Sequence, residues 1–222
     1  YCTDDSTVNT VGAPGKEGKM SPANLLTTTV TDELRLATNF ASKVVGVSIK
    51  DRAAILPAGH TANAAFWLDD ASGNMISSTY YMNQLPEWVS AFNQQQLIQQ
   101  YMQNEWQTLY PIKTYTQSEP DALKFEQKKD NKPNATFPYK LASVYEKSKS
   151  TFRYTPFGNT FILDFAKKAM QGYALGKSNA TDFLTINCAS TDYVGHRFGP
   201  NSIEVEDTYL RLDKDLATFF HY

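Results

Sequence analysis

A layered helix–sheet–helix α/β core on a largely parallel sheet is the fold class this sequence predicts. Two short apolar runs, KVVGVSI at 43–49 and DFLTINCAS at 182–190, read as buried strands. Parallel strands covered by helices on both faces carry continuous rather than alternating apolar residues. Helical segments alternate with these runs, which is the pattern of layered α/β cores. The 222 residues, 41 % hydrophobic and 20 % charged, have an ordinary globular composition, which excludes a disordered chain.

Residues 1–30, rich in Thr, Gly, Pro and Asn, read as loop. TDELRLATNFAS (31–42) predicts a helix with Thr31 as N-cap and Asp32 and Glu33 in its positive first turn. Leu34, Ala37, Phe40 and Ala41 would form its apolar face. NAAFWLDD (63–70) and NMISSTYY (74–81), joined by a turn-like ASG, predict a hairpin in which Asp69 and Asp70 serve the turn. Pro86 opens a further helix, PEWVSAFNQQ, since proline is tolerated in a first helical turn. From 96 to 156 the chain is rich in Gln, Tyr and Thr, then charged, then broken by prolines. This stretch reads as an insertion or cap over one edge of the core. GNTFILDFAKKAMQGYALGK (158–177) returns to helical spacing, with Phe161, Phe165, Ala169 and Tyr173 on one side and Gly176 at the stop. STDYVGHRFGP reads as a loop. NSIEVEDTYLRLDKDLATFF reads as a helix capped by Asn201, with Glu204 three residues on and an apolar face of Tyr209, Leu212, Leu216, Phe219 and Phe220.

Net charge is −2, so no basic excess points to nucleic acid or an anionic membrane surface. No apolar run approaches the roughly 20 residues that cross a bilayer. Two cysteines, Cys2 and Cys188, are too few for a disulfide scaffold or a thiolate zinc finger. Spacing leaves open whether they pair; Cys188 also reads as a small core residue. No Gly-rich phosphate loop, GxSxG elbow or HExxH is present.

Ligands of open α/β sheets sit at the carboxyl ends of the strands. Two polar clusters occupy that place. Lys50-Asp51-Arg52 follows the first buried strand, and Asp192 and His196 follow the second. Extended backbone would point Lys50 and Arg52 the same way, and two fixed cations suit phosphoryl oxygens. K-x-R is equally the pattern of two solvated surface charges. Asp192 and His196 offer an oxygen and an imidazole nitrogen, both good zinc donors, and Gly195 between them would let a loop bend around one ion. On spacing alone, a turn-capping Asp and an exposed His explain them as well. His60, in LPAGHT, reads as a hydrogen-bonding loop residue, and His221 carries no assigned role. Asn134-Ala-Thr and Asn179-Ala-Thr match the N-glycosylation acceptor, a frequent chance match.

STDYVGHRFGPNS closely resembles the zinc-binding loop of the alkaline phosphatase superfamily, in its branch of type I phosphodiesterases and nucleotide pyrophosphatases. GNTFILDFAKKAM and DFLTINCAS resemble the same branch. KVVGVSIKDRAAILPAGHTANAAFWLDDASGNMISSTYY looks most like the phosphate-irrepressible bacterial alkaline phosphatases, which are monoesterases. The resemblance implies two zinc ions clamping a phosphoryl group, in-line attack by a Thr or Ser, and hydrolysis of the phosphoenzyme by a zinc-activated water. It makes Asp192 and His196 two ligands of one zinc, and Lys50 and Arg52 contacts to phosphoryl oxygens. The substrate it implies is a small phosphate ester. A phosphodiesterase or nucleotide pyrophosphatase is the alternative enzyme, and a non-catalytic binding or cap module the alternative of another class.

The family's nucleophile motif, first aspartate ligand and phosphoryl-contacting Asn would lie upstream of Tyr1. Its Asp-His ligand pair and last His would lie beyond Tyr222. Residues 1–222 are therefore expected to be an internal portion of a larger phosphatase, inactive alone and prone to self-associate through exposed sheet edges. The resemblance places the whole protein in the periplasm or outside the cell.

Overall fold

The computed structural model of the chain describes residues 1–121 and 136–222. Asn134 and most of the charged stretch 124–140 lie outside the described residues. In chain order the elements are β1 (Thr10–Val11), α1 (Val30–Ala37), β2 (Val44–Ser48), α2 (Asp51–Ala58), β3 (Ala64–Asp69), β4 (Asn74–Ser78), α3 (Glu87–Gln94), α4 (Leu97–Gln103), β5 (Glu105–Trp106), β6 (Tyr139–Lys140), α5 (Ala142–Lys147), α6 (Phe157–Gly172), β7 (Phe183–Asn187), α7 (Ser190–Phe198) and α8 (Ile203–Phe220). Short 3-10 turns occupy Ile112–Thr114 and Lys149–Tyr154. They fall into two compact units. One joins Tyr1–Gln96 to Ile162–Asn187, and the other joins Leu97–Phe161 to Cys188–Tyr222.

The first unit is built on a five-stranded sheet in the order β1-β4-β3-β2-β7. β2 runs parallel to both β3 and β7, with Val47 opposite Phe66 and Ser48 opposite Asn187. β3 and β4 form the expected antiparallel hairpin, and the Asp69 carboxylate accepts from the Ser72 backbone N–H at 2.9 Å to close its turn. Consecutive strand residues face opposite ways, so Phe66 and Trp67 serve the two faces of the sheet. Trp67, Ala65 and Ile76 pack with Ala54 and Ile55 of α2. On the other face the Phe66 ring meets Trp88 at 5.6 Å and Phe165 at 5.4 Å, and Phe92 meets Phe165 at 5.1 Å. Helices thus cover both faces, as the composition of β2 requires. Gly46 lies at the tightest point, where a Cβ would sit 2.0 Å from the Ala54 carbonyl oxygen.

Three local expectations are corrected in this unit. α1 is capped by Thr29, not Thr31, because Asp32 lies three residues after Thr29 and the two cap each other's backbone N–H reciprocally. Thr31 is instead buried and donates to the Pro57 and Ala58 carbonyls at 3.0 and 2.8 Å. The predicted apolar face of this helix is not buried: the chain turns left-handed at Asn39 and Phe40, and Phe40 is 51 % exposed. β7, expected to be buried, is half-exposed because it is an edge strand; among the described residues only β2 pairs with it.

His60 holds a hydrogen-bonding position, as its loop context predicts. Its Nδ1 faces the Asp32 carboxylate and its Nε2 the Leu25 carbonyl, each at 3.0 Å. Both partners are acceptors, so the doubly protonated ring satisfies both. The bond to Asp32 raises the His60 pKa, against burial and with help from Leu25. Burial pushes the Asp32 carboxyl up, but bonds from His60, Thr61 and Thr29 outweigh it and hold the carboxyl well below its ordinary value. A depressed carboxyl stabilises the fold above its ordinary value of 3.8 and loses that contribution as pH falls through the folded value. A raised histidine stabilises below 6.5 and loses its contribution as pH rises through the folded value. The wild-type advantage over His60→Gln is therefore expected to be full near pH 5.5 and to shrink steadily above pH 6.5. Urea unfolding of the pair at pH 5.5, 7 and 9 checks this; an advantage flat across that range refutes it.

The second unit is organised around a buried carboxylate. Asp207 accepts from Trp106 Nε1, the Leu109 backbone N–H and Arg211 Nε, each at 2.7 Å, and from the Tyr115 hydroxyl at 2.5 Å. Burial, reinforced by that bond, pushes the Tyr115 phenol up to about 12. Four donors offset the desolvation of a fully buried carboxylate. Glu204, also buried, accepts from the Tyr139 hydroxyl. This arrangement corrects the sequence reading of α8. Its cap is Ser202, whose hydroxyl accepts from the Val205 N–H at 3.3 Å, not Asn201. Its buried face is Ile203, Glu204, Asp207 and Thr208, while Tyr209 and Phe220 are 59 % and 76 % exposed.

Candidate functional site

β2 and β7 end level with one another. The Ser48 hydroxyl donates to the Asn187 side-chain oxygen and accepts from the Lys50 backbone N–H, both at 3.0 Å. This corner turns the chain directly from strand into helix. Lys50 is extended (φ −110°, ψ 129°) and occupies the N-cap of α2, so Asp51 and Arg52 are already helical. The extended backbone through which strand alternation would aim Lys50 and Arg52 together therefore ends at Lys50. Both remain at the carboxyl end of a parallel strand and at a helix N-terminus, whose free N–H groups and dipole favour an anion. Lys50 is half-buried and Arg52 exposed.

Residues from the first loop surround this corner. The Asp51 carboxylate accepts from the Tyr1 hydroxyl at 2.9 Å and the Thr3 hydroxyl at 2.6 Å. Arg52 Nη1 donates to the same Tyr1 oxygen at 2.8 Å, and its guanidinium lies 5.9 Å from the Tyr1 ring centroid. Burial, and to a lesser degree Asp51, raises the Tyr1 pKa against the lowering effect of Arg52. No spacing signal links Tyr1 or Thr3 to Arg52, some fifty residues away, so neither is legible in the sequence.

The second cluster, in the other unit, is also not a loop. Ser190–Phe198 is helical, so Gly195 is a helical residue rather than a hinge. The helix nevertheless brings its two predicted ligands together: positions four apart share a face, and His196 Nε2 lies 3.2 Å from Asp192 Oδ1. The two side chains are 76 % and 53 % exposed. That separation equals the edge of a zinc tetrahedron, about 3.3 Å for bonds of about 2.0–2.1 Å, so the pair fits two adjacent corners of a zinc site. Among the described residues no three His, Cys, Asp or Glu side chains form a candidate metal group. The helix start is anchored by Asn159, whose side chain donates to Thr191 Oγ1 at 3.1 Å and accepts from the Ser190 N–H at 3.2 Å. Arg153 donates to the Tyr193 hydroxyl at 3.2 Å. Cys188 and Cys2 are free thiols and do not pair; Cys188 is half-buried rather than core, and burial pushes its thiol up to about 11.

Comparison with known proteins agrees with this frame. Alkaline phosphatase PhoV of Synechococcus elongatus is 57 % identical over 222 residues, covering 100 % of this chain and 40 % of its own. Alkaline phosphatase PafA of Elizabethkingia meningoseptica is 57 % identical over 223 residues, 100 % of this chain and 41 % of its own. Crystal structures of PafA, as wild type and with one Thr, Asn, Lys and Arg substituted, superpose with TM-scores of 0.95 at 57 % and 56 % identity, covering 43 % of each. The chain thus spans about two fifths of the length of the curated relatives it matches. The sequence profile of the type I phosphodiesterases / nucleotide pyrophosphatases matches residues 24–222, and the chain belongs to that family.

Proposed function

We propose that residues 1–222 are part of a zinc-dependent alkaline phosphatase that hydrolyses small phosphate monoesters through a phosphoenzyme. The observation that carries this reading is the Lys50-x-Arg52 pair at the carboxyl end of β2, in a chain aligned end to end with alkaline phosphatases. The lysine and arginine replaced in the PafA variant are likewise two residues apart. A phosphate monoester carries one more negative charge on its non-bridging oxygens than a diester. Two cations at a helix N-terminus therefore favour the monoester electrostatically. Arg52 can fork onto two of those oxygens while Lys50 acts as a point charge. Asp192 and His196 hold one zinc, with Asn159 fixing the start of their helix. Zinc, when bound, supplies positive charge against the phosphoryl oxygens and acidifies water. The same reading places the whole protein in the periplasm or outside the cell.

The family name favours a second reading, phosphodiester or nucleotide pyrophosphate cleavage. Turnover of an aryl phosphate against a bis-aryl phosphate by the full-length protein separates them, and a preference for the diester overturns the first.

The isolated chain 1–222 is expected to be inactive. A catalytic zinc site normally takes three protein ligands plus water, and Asp192 and His196 are two. Purified chain titrated with zinc should show no phosphate release above a buffer blank, and weak metal uptake that Asp192→Ala abolishes. Light scattering on the same preparation should show dimers or larger species, through the outer edge of β7. Clear turnover, or a monodisperse monomer, refutes the corresponding statement.

A further inference from the structure

The first loop reaches the cationic corner through hydroxyl groups, and their order is directional. Asp51, as a carboxylate, can only accept. The Tyr1 hydroxyl spends its single proton on Asp51 Oδ1 at 2.9 Å, which turns its lone pairs toward Arg52 Nη1 at 2.8 Å. The Thr3 hydroxyl donates to the other Asp51 oxygen at 2.6 Å, so both carboxylate oxygens are held. The Tyr1 ring lies beside the guanidinium, 5.9 Å from ring centroid to Cζ. A long, exposed arginine loses rotamer freedom when it is fixed. A side chain already tethered at Nη1 loses less on meeting an anion.

We infer that Tyr1 is a positioning residue for Arg52: with Asp51 and Thr3 behind it, its hydroxyl tethers the guanidinium toward a bound phosphoryl group and so contributes to monoester preference. This rests on the role proposed above for Arg52. Tyr1 touches no reacting atom in this account; it acts through Arg52.

The test is a mutant cycle in the full-length protein with an aryl phosphate and a bis-aryl phosphate as the two substrates. Tyr1→Phe keeps the ring and removes only the hydroxyl. In the Arg52 wild-type background it should lower monoester kcat/KM about 5-fold, the worth of one hydrogen bond, and leave diester kcat/KM within about 2-fold. In the Arg52→Ala background the same change should have no effect on either substrate. Thr3→Val should reproduce a smaller part of the loss. The inference is overturned if Tyr1→Phe lowers monoester and diester turnover equally, acts undiminished without Arg52, or has no effect while Arg52→Ala does. If Arg52→Ala itself leaves the monoester-to-diester ratio unchanged, the role proposed for Arg52 falls, and the inference falls with it. The first result tells a misplaced tether from a misread site.

Discussion

In the full-length protein, Arg52→Ala and Lys50→Ala are each expected to cost about 10²–10³-fold in monoester kcat/KM, the scale of losing one preorganised electrostatic donor. Diester turnover should fall about 10-fold or less, because one fewer negative charge faces the pair. The two losses should not add, since both cations act on the same oxygens. Lys50 at the N-cap and Arg52 two residues on, in the first turn of α2, sit on the rigid junction between β2 and α2, so truncation should alter chemistry without unfolding the protein. Equal losses on both substrates, measured by steady-state kinetics alongside thermal melting, would mean that the pair is structural.

Gly46→Val, and to a lesser degree Gly46→Ala, should have the largest effect on stability. Gly46 lies in the middle of β2, flanked by Val45 and Val47, both fully buried. A Cβ there would meet the Ala54 carbonyl oxygen at 2.0 Å and the Ala58 Cβ at 3.0 Å. The first is backbone of α2 and has no rotamer through which to retreat. Relief requires α2 to move off the sheet, opening the Ala54–Ile55–Trp67–Ile76 contact. A cost above about 3 kcal/mol is expected for the alanine, beyond ordinary core overpacking, and little soluble protein for the valine. Gly195→Ala is the control, because a Cβ there meets nothing within 4 Å and alanine favours a helix. Urea unfolding of the three variants decides the matter; a Gly46→Ala midpoint equal to wild type refutes the close-packing account.

Much of the candidate site was legible before the fold. The β-branched runs announced β2 and β7, and the polar residues just after them are where an α/β sheet exposes its chemistry. The resemblance of STDYVGHRFGPNS to a zinc-binding segment singled out Asp192 and His196, whose side chains lie 3.2 Å apart on one helix face. The secondary structure assigned to that segment was nevertheless wrong. STDYVGHRFGP read as a loop, yet Asn159, about thirty residues upstream, holds the first turn of a helix through its side chain. A local reading cannot price a long-range anchor of that kind.

The same limit explains the errors in α1 and α8. Apolar periodicity assumes that what is buried is apolar. In α8 the buried positions include Glu204 and Asp207, held by donors such as Trp106, Tyr115 and Tyr139 from 65 to 101 residues away. In α1 the buried positions are Thr31 and Asp32, satisfied by the Pro57 and Ala58 carbonyls, by Thr61 and by His60. Residue type and spacing along the chain were enough for β2, the β3–β4 hairpin, β7 and the polar clusters at the strand ends. These follow from local sterics and from continuous or periodic burial, which a sequence displays directly. The roles proposed for Lys50, Arg52, Asp192 and His196 came from the family resemblance. The caps, the polar faces, the edge exposure of β7 and the hydroxyl tether from Tyr1 to Arg52 came from the folded chain. Each depends on which distant donor meets which acceptor, and that pairing exists only once the chain has closed on itself.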